Sequence, residues 1–546
     1  MTLTGNFTHD DTGSFVTIYP ENSCVNSEVV TILKKDEFTC SMSYTNYAVS
    51  QLIHEALSYE SKGHRFNKSK SSKWDGKVRF FNLKNKEFPI GFYKLVVKTL
   101  LGNGFTVMLS KAIKSIKYIK SNDELAAVIK SWPLTKTIRD YQVEGLVELI
   151  NRNRAIVLSI TSSGKSFIIY AVFRYIISQI NPKAKILLIV PYGHLVDQMM
   201  HDFESYENDN FISSRVSGLR QGLKFENSQI LVSTYQSIEE MDSKVRAGLL
   251  SQYSALCVDE VHISGFDKFI KKCVNLKFRF GVTGTIHEIK ESLFRLYQYF
   301  GDVYELTDYK SMSQAGFVVD VNVNAVKLNY DTAAVSRYKS SFRHFMAETA
   351  EDKFSPNKFY NFEHNFIAAA GYKTKFACDL ALALASKGHN VFLLFQTDTE
   401  YLLEVNRELN KFVDVKLAYG PTPIHEREAI VQQLESSNGN IVTCSVVFST
   451  GTNILNLHDV ILMRIGKSKN FTLQSIGRGM RTCEGKDCVN VWDIVDVLPP
   501  MKSAEEAECY SVEHYNKRLH FYKAQGYNIK NIEVQLPSYD VGNYIN

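Results

Sequence analysis

From residue 132 onward, short runs of Ile, Val and Leu alternate with longer stretches whose apolar positions recur at helical spacing. The runs fall at 155–160, 186–190, 229–233, 255–258 and 280–283. Uninterrupted apolar runs of strand length, separated by amphipathic helices, predict a parallel sheet covered on both faces. The same alternation returns at 391–395, 413–417, 440–445, 460–464 and 489–492. Two α/β units of similar size in succession predict a duplicated architecture with a cleft between its halves.

The first 130 residues read differently. A polar, basic stretch over 62–79 leads into the strand-like Val78-Arg-Phe-Phe-Asn82, and Leu95, Val96, Thr99 and Leu100 share a helical face. Residues 331–362, rich in Ser, Lys, Tyr and Phe, read as a helical connector or insertion. After Pro499-Pro500, helical spacing puts Cys509, Val512, Tyr515, Leu519 and Tyr522 on one side. The expected division is therefore a small α+β accessory domain over 1–130, a first lobe over 131–310, a linker or insertion over 311–365, a second lobe over 366–500 and a helical tail over 501–546.

Composition narrows this picture without changing it. At 546 residues, 45% apolar and 22% charged, the chain is neither disordered nor fibrous. No run approaches 18 apolar residues, so no membrane span is expected, and Met-Thr-Leu-Thr-Gly-Asn at the start reads as no signal peptide. Nine cysteines without a CxxC pair suit reduced thiols in a cytoplasm. Cys483 and Cys488 lack the second pair a zinc site needs. Lys and Arg exceed Asp and Glu by 63 − 58 = +5, too little to require a polyanionic partner by itself.

The sharpest chemical signal is Ile156-Val-Leu-Ser-Ile-Thr-Ser-Ser-Gly-Lys-Ser166. An apolar strand enters a loop of small residues, and Gly164-Lys165-Ser166 opens a helix. Loop N–H groups and the helix N-terminus suit triphosphate oxygens, Lys165 would neutralise β/γ charge, and Ser166 would hold Mg²⁺. Ser159 stands where the full pattern asks for glycine, so a plain strand–turn–helix remains an equal reading of this segment alone. Ala255-Leu-Cys-Val-Asp-Glu-Val-His262 tips the balance, because a second buried strand there ends in adjacent carboxylates. Asp259 would hold Mg²⁺ and Glu260 would orient or deprotonate the attacking water. Upstream, the Gln142 amide is able to read an adenine edge, although taken alone it fits a surface helix better.

Gln142, Gly164-Lys165-Ser166, Asp259-Glu260-Val261-His262, Thr283-Gly284-Thr285 and Gln474-Ser-Ile-Gly-Arg-Gly-Met-Arg481 resemble, in order, the motifs of superfamily 2 helicases. The resemblance covers about 132–500 and implies two tandem RecA-like lobes. It implies that Arg139, Gln142, Thr161, Ser162, Ser163, Gly164, Lys165, Ser166 and Gly451 bind ATP. It also implies that Arg478 and Arg481 reach the nucleotide from the second lobe, and that His262, Thr283, Thr285 and Gln474 couple hydrolysis to lobe movement. Pro191, Thr234, Gln236 and Thr450 match segments that grip the nucleic-acid backbone. An arginine supplied from the opposite lobe stabilises spreading γ-phosphoryl charge only on closure, which ties hydrolysis to motion.

Within that superfamily, Gly63-His-Arg-Phe-Asn67, Lys73-Trp-Asp-Gly-Lys-Val-Arg79 and Phe88-Pro-Ile-Gly91 look like the front domain of phage UvsW-type helicases, which also carry Thr-Ser-x-Gly-Lys-Ser. That family implies an ATP- and Mg²⁺-dependent DNA helicase remodelling forks, crossover junctions and RNA–DNA loops; a monomer is expected, in the cytoplasm, which is the host cell's if the chain is phage-encoded. Between 61 and 80 seven Lys/Arg face one acid, Asp75. With Phe66 and Trp74 interleaved, this suits phosphate neutralisation and base stacking through Lys73, Trp74, Lys77 and Arg79; a solvated lysine-rich hairpin is the plainer alternative. Rival functions are an RNA helicase, the motor subunit of a restriction system, and a branch-binding protein with a decayed ATPase.

Overall fold

The computed structural model describes residues 6–9, 14–20, 28–61, 74–113, 117–219, 228–263, 266–273, 275–286, 289–348, 356–396, 398–445, 454–464, 466–500 and 508–545. Lys73, Thr450 and Gly451 lie outside these residues, as do 63–67. The chain divides into two compact units: Met1–Ser159 with Gly164–Thr307, and Asp308–Asn546 together with the short loop Ile160–Ser163.

The first unit holds two large sheets and a two-stranded ribbon. A six-stranded mixed sheet runs in the order Asn6–His9, Phe15–Tyr19, Thr106–Ser110, Val29–Lys34, Thr39–Ser43, Glu87–Pro89. Helices Tyr47–Ala56 and Tyr93–Gly102 bury Val49, Ile53, Val96 and Leu100 in one core with its strands. The basic stretch ends in a two-stranded ribbon, Ser58–Glu60 against Lys77–Arg79.

The other sheet has seven strands, all parallel, in the order Val216–Leu219, Ile230–Thr234, Ile186–Val190, Ala255–Asp259, Phe278–Thr283, Arg154–Ser159, Val303–Thr307. Every residue of Ile186–Val190, Ile230–Thr234 and Phe278–Thr283 is buried, which is why Ile186–Val190 is wholly apolar and the other two are largely so, the buried Arg279 interrupting the last. The front domain packs tightly on this lobe. A side chain at Gly91 would meet the Tyr297 carbonyl oxygen at 1.7 Å, so only glycine fits there. Lys94 Nζ donates to both Asp302 oxygens at 3.0 Å, and the fully buried Arg279 guanidinium stacks 4.4 Å from the Phe38 ring.

The second unit carries another all-parallel seven-stranded sheet: Lys416–Ala418, Ile441–Cys444, Val391–Phe395, Asp459–Arg464, Cys488–Val497, Asp320–Asn329, Asn528–Gln535. Two expectations change here. The stretch 311–365 is not a connector: Asp320–Asn329 is a ten-residue strand pairing along its length with Cys488–Val497. Its interleaved Asn and Lys residues hid it, because polar positions every second residue do not read as a buried parallel strand. The helices that follow, Thr332–Glu348 and Pro356–Ala370, place Ala334, Tyr338 and Ile367 in the lobe's core.

The tail is a helix, Tyr510–Gln525, as its spacing predicts, but the chain then returns as strand Asn528–Gln535 at the sheet's edge. Smaller shifts concern the ends of strands. The strand expected over 413–417 is Lys416–Ala418, with the Val415 N–H taken by Asn410 Oδ1 at 3.1 Å. Trp492 lies within its strand rather than ending it, buried and donating from Nε1 to Asp459 Oδ1 at 2.8 Å.

Candidate functional site

Three neighbouring strands of the first lobe end at one place. Ala255–Asp259 delivers Asp259 and Glu260, Phe278–Thr283 delivers Thr283 and then Thr285, and Arg154–Ser159 runs into the Gly164-Lys165-Ser166 loop. The carboxyl ends of parallel strands are where doubly wound sheets bind ligands, because loops leave there and helix N-termini arrive.

The loop is built for close approach. Gly164 adopts φ +79° and Ser162 φ 71°, the left-handed region, so the Ser162 position has the conformation that glycine tolerates best. Helix Lys165–Tyr175 starts with no side-chain cap and no acid in its first turn, leaving its amide groups and dipole for an anion. Ser163 is buried, its hydroxyl donating to the Ile160 carbonyl at 2.7 Å.

Gln142 is not a surface residue. It is 4% exposed and sits against the loop, with Nε2 2.7 Å from where a Cβ on Gly164 would be. Its Oε1 accepts the Arg139 N–H at 3.1 Å, so the amide is fixed at the start of helix Asp140–Arg152. Arg139 Nη1 in turn donates to Tyr141 OH at 3.2 Å.

Lys165 Nζ lies 3.9 Å from Glu260 Oε1, both side chains about four-fifths or more covered, at 17% and 16% exposure. Glu260 has φ 47°, and its N–H donates to Asp259 Oδ1 at 3.0 Å. Burial, with Glu260 alongside, pushes the Asp259 carboxyl above its ordinary range, while Lys165 opposes that rise. His262 Nδ1 lies 2.7 Å from Thr283 Oγ1 and 3.2 Å from Glu260 Oε2. Thr283 Oγ1 also accepts the Thr285 N–H at 3.3 Å. A continuous polar path therefore runs from Lys165 through Glu260 and His262 to Thr283 and Thr285.

Tyr206 escaped the sequence reading. Its hydroxyl is 2.7 Å from Ser166 Oγ, and its ring packs edge-on against Phe167. No local signal marks it, since it lies 40 residues downstream at the end of helix His194–Ser205.

Candidate backbone contacts lie at the ends of other strands. Pro191, which is buried, follows Ile186–Val190. Tyr192 beside it is 44% exposed and stacks on His194 with centroids 5.9 Å apart, an aromatic surface that the sequence reading did not single out. Thr234 is buried, and its hydroxyl caps the following helix by accepting from Ser237 N at 3.2 Å, whereas Gln236 is exposed.

In the front domain, Trp74 is 45% exposed, with Nε1 donating to the Lys77 carbonyl at 3.0 Å. The cation excess counted along the sequence is smaller in space. Lys77 pairs with Glu55 at 2.5 Å, and Arg79 makes a two-toothed pair with Asp75.

In the second unit, helix Lys469–Gly479 carries Gln474 and Arg478, and Arg481 lies two residues beyond its end. All three are half-buried. Lys486, also missed from sequence, is buried just beyond them. Among the described residues no cluster of His, Cys, Asp and Glu holds metal-ligand geometry, Cys483 and Cys488 included, and no helix is long and apolar enough to cross a membrane.

Two family descriptions match the chain: "Type III restriction enzyme, res subunit" over residues 135–288 and "Helicase conserved C-terminal domain" over residues 372–483. The ATP-dependent DNA helicase UvsW of Enterobacteria phage T4 is 26% identical over 495 residues, 87% of this chain and 94% of that protein. Over these ranges the chain is similar to superfamily 2 helicases. The helicase also aligns with the crystal structure of T4 UvsW, over 93% of this chain and 100% of that one, at 23% identity and a TM-score of 0.45. The ATP-dependent Type ISP restriction-modification enzyme LlaBIII shares the fold at a TM-score of 0.52 and 15% identity, covering 75% of this helicase and 32% of that enzyme. Lys165, Asp259, Glu260 and Thr283 fall inside the first matched range, and Gln474, Arg478 and Arg481 inside the second.

Proposed function

We propose that this helicase hydrolyses Mg²⁺-ATP at the Lys165–Glu260 cluster and uses the energy to unwind or remodel branched DNA: forks, four-way junctions and RNA–DNA loops, in phage replication, recombination and repair. The observation carrying the hydrolytic part is the convergence of Lys165, Glu260, His262 and Thr283 at three adjacent strand ends. The residues suit the group. Ser166 and Asp259 offer hard oxygen donors of the kind Mg²⁺ prefers, and a buried carboxylate pushed toward protonation is one that a divalent cation would hold charged. Bound there, the ion would neutralise charge on the β- and γ-phosphates.

The chain's own groups have distinct roles in this reading. The first-turn amides and Lys165 hold the phosphates, and Gln142 with Arg139 holds the base. Glu260, with one oxygen toward Lys165 and the other toward His262, orients the attacking water. Arg478 and Arg481 supply charge to the transition state, and Gln474 couples to them. Gly451 and Thr450 are candidates by resemblance alone.

The DNA part of the reading is supported by the similarity to UvsW and by exposed groups that suit backbone and base contacts: Gln236, the Tyr192–His194 pair and Trp74. Lys77 and Arg79 would exchange carboxylate partners for phosphates, a swap that costs little at an exposed site. The helicase would act as a monomer in the host cytoplasm.

The test compares ATP turnover with DNA and with RNA of equal length, in the wild type and in Lys165→Ala. DNA should stimulate more strongly, and the variant should lose at least roughly a hundredfold in turnover. Equal stimulation by RNA favours an RNA helicase, and undiminished turnover in Lys165→Ala rules out this phosphate site.

A further inference from the structure

Helix Lys469–Gly479 ends with backbone carbonyls that no further helical turn can satisfy. Lys486 reaches back to them. Its Nζ donates to the Gly479 carbonyl at 2.7 Å, to the Arg481 carbonyl at 3.1 Å and to the Leu455 carbonyl at 2.9 Å. An ammonium has three N–H donors, and all three are used here. Lys486 is 6% exposed, and no carboxylate is among these partners. A lysine taken out of water without a counter-ion is costly, so its place among three oriented carbonyls calls for a reason beyond filling space.

The three carbonyls belong to two segments. Gly479 closes the helix that bears Arg478 and Arg481 lies two residues beyond it, while Leu455 stands two residues after the stretch 450–453, which carries the Thr450 and Gly451 candidates. We propose that Lys486 is a positioning residue for hydrolysis: its three bonds fix the end of the arginine helix against the segment leading from residue 453, and so set where Arg478 and Arg481 stand. This rests on the reading of those arginines as the charges that serve the γ-phosphoryl group. Placement of such groups matters steeply, since a shift of about 1 Å costs on the order of a hundredfold in rate.

The same geometry makes the clamp sensitive to alkali. Burial pulls the Lys486 amine down to about 8. The charged and titratable groups facing it are Cys483, Cys488, Arg481 and His458. Above that pH the neutral amine keeps two N–H donors for three carbonyls, and one bond is lost.

The experiment uses the full chain with saturating single-stranded DNA, comparing wild type, Lys486→Met, Lys486→Arg and Lys165→Ala. Lys486→Met should bind ATP with an affinity within about twofold of wild type and lose roughly ten- to a hundredfold in kcat. Lys486→Arg should recover most of that loss, and its kcat should stay level from pH 7 to 9.5 where the wild type's falls. A kcat for folded Lys486→Met within twofold of wild type overturns the proposal, as does an equal loss of ATP affinity and kcat. If Lys486→Met does not fold, the wild-type profile decides: a fall near pH 8 that Lys486→Arg lacks supports the clamp, and matching profiles overturn it. Full turnover in Lys165→Ala is a separate result, and it rejects the ATP site rather than Lys486.

Discussion

His262 and Thr283 are joined by a 2.7 Å contact between Nδ1 and Oγ1, and that contact links the acid-bearing loop to the end of the next strand. Thr283 is fully buried, and its hydroxyl is held from both sides by His262 and by the Thr285 backbone. The contact offers a route by which a change at Glu260 would reach the segment after residue 283. Thr283→Val keeps the shape and removes the hydroxyl. Basal ATP turnover should change less than the DNA stimulation, which should fall by about five- to a hundredfold, the span of ordinary coupling energies. The check is turnover with and without single-stranded DNA; intact stimulation would show that the contact is structural only.

The tail is locked to the second lobe by a buried charge pair. Arg518 donates from Nε and Nη2 to Asp493 at 2.9 and 2.7 Å, Tyr522 OH donates to the same carboxylate at 2.8 Å, and Arg518 Nη1 reaches the Gly466 carbonyl at 3.1 Å. Removing one partner strands the other charge. Arg518→Met should cost about 3–5 kcal/mol in chemical denaturation, and adding Asp493→Leu should recover a large part of that. A single-variant cost below about 1 kcal/mol contradicts this role.

Glu363 caps the tail helix, accepting the Tyr510 and Ser511 N–H groups at 3.0 and 2.8 Å, and burial raises its carboxyl from 4.5 to about 7. The folded state thus holds this proton more tightly than the unfolded chain. The stability it contributes is fully present below pH 4.5 and is lost as pH rises through about 7, with a slope of at most about 1.4 kcal/mol per pH unit. Glu363→Gln should flatten the stability profile in that window. Superimposable profiles for the two proteins would contradict the assignment.

How much of this was legible in the sequence depended on whether the signal was local. Fully apolar strands such as Ile186–Val190 announced both sheets, and Gly164-Lys165-Ser166 and Asp259-Glu260 announced the site, because each is a short run with one physical reading. Asp320–Asn329 was hidden by its polar alternation, and Asn528–Gln535 by the helix before it, since a strand's place in a sheet is set by partners far away in sequence. Tyr206, Lys486 and the Glu55 partner of Lys77 were unreadable for the same reason: each is defined by a contact across 22 residues or more, or by backbone carbonyls that have no residue type.

The most direct measurement is strand separation from a synthetic four-way DNA junction, resolved on a native gel, with wild type and Glu260→Gln at saturating Mg²⁺-ATP. Wild type should convert the junction to its product duplexes only when ATP is present. Glu260→Gln should bind junction and ATP normally yet lose about a hundredfold or more in conversion rate. Conversion by Glu260→Gln at the wild-type rate, or none by wild type with ATP, contradicts an engine driven by hydrolysis at this cluster.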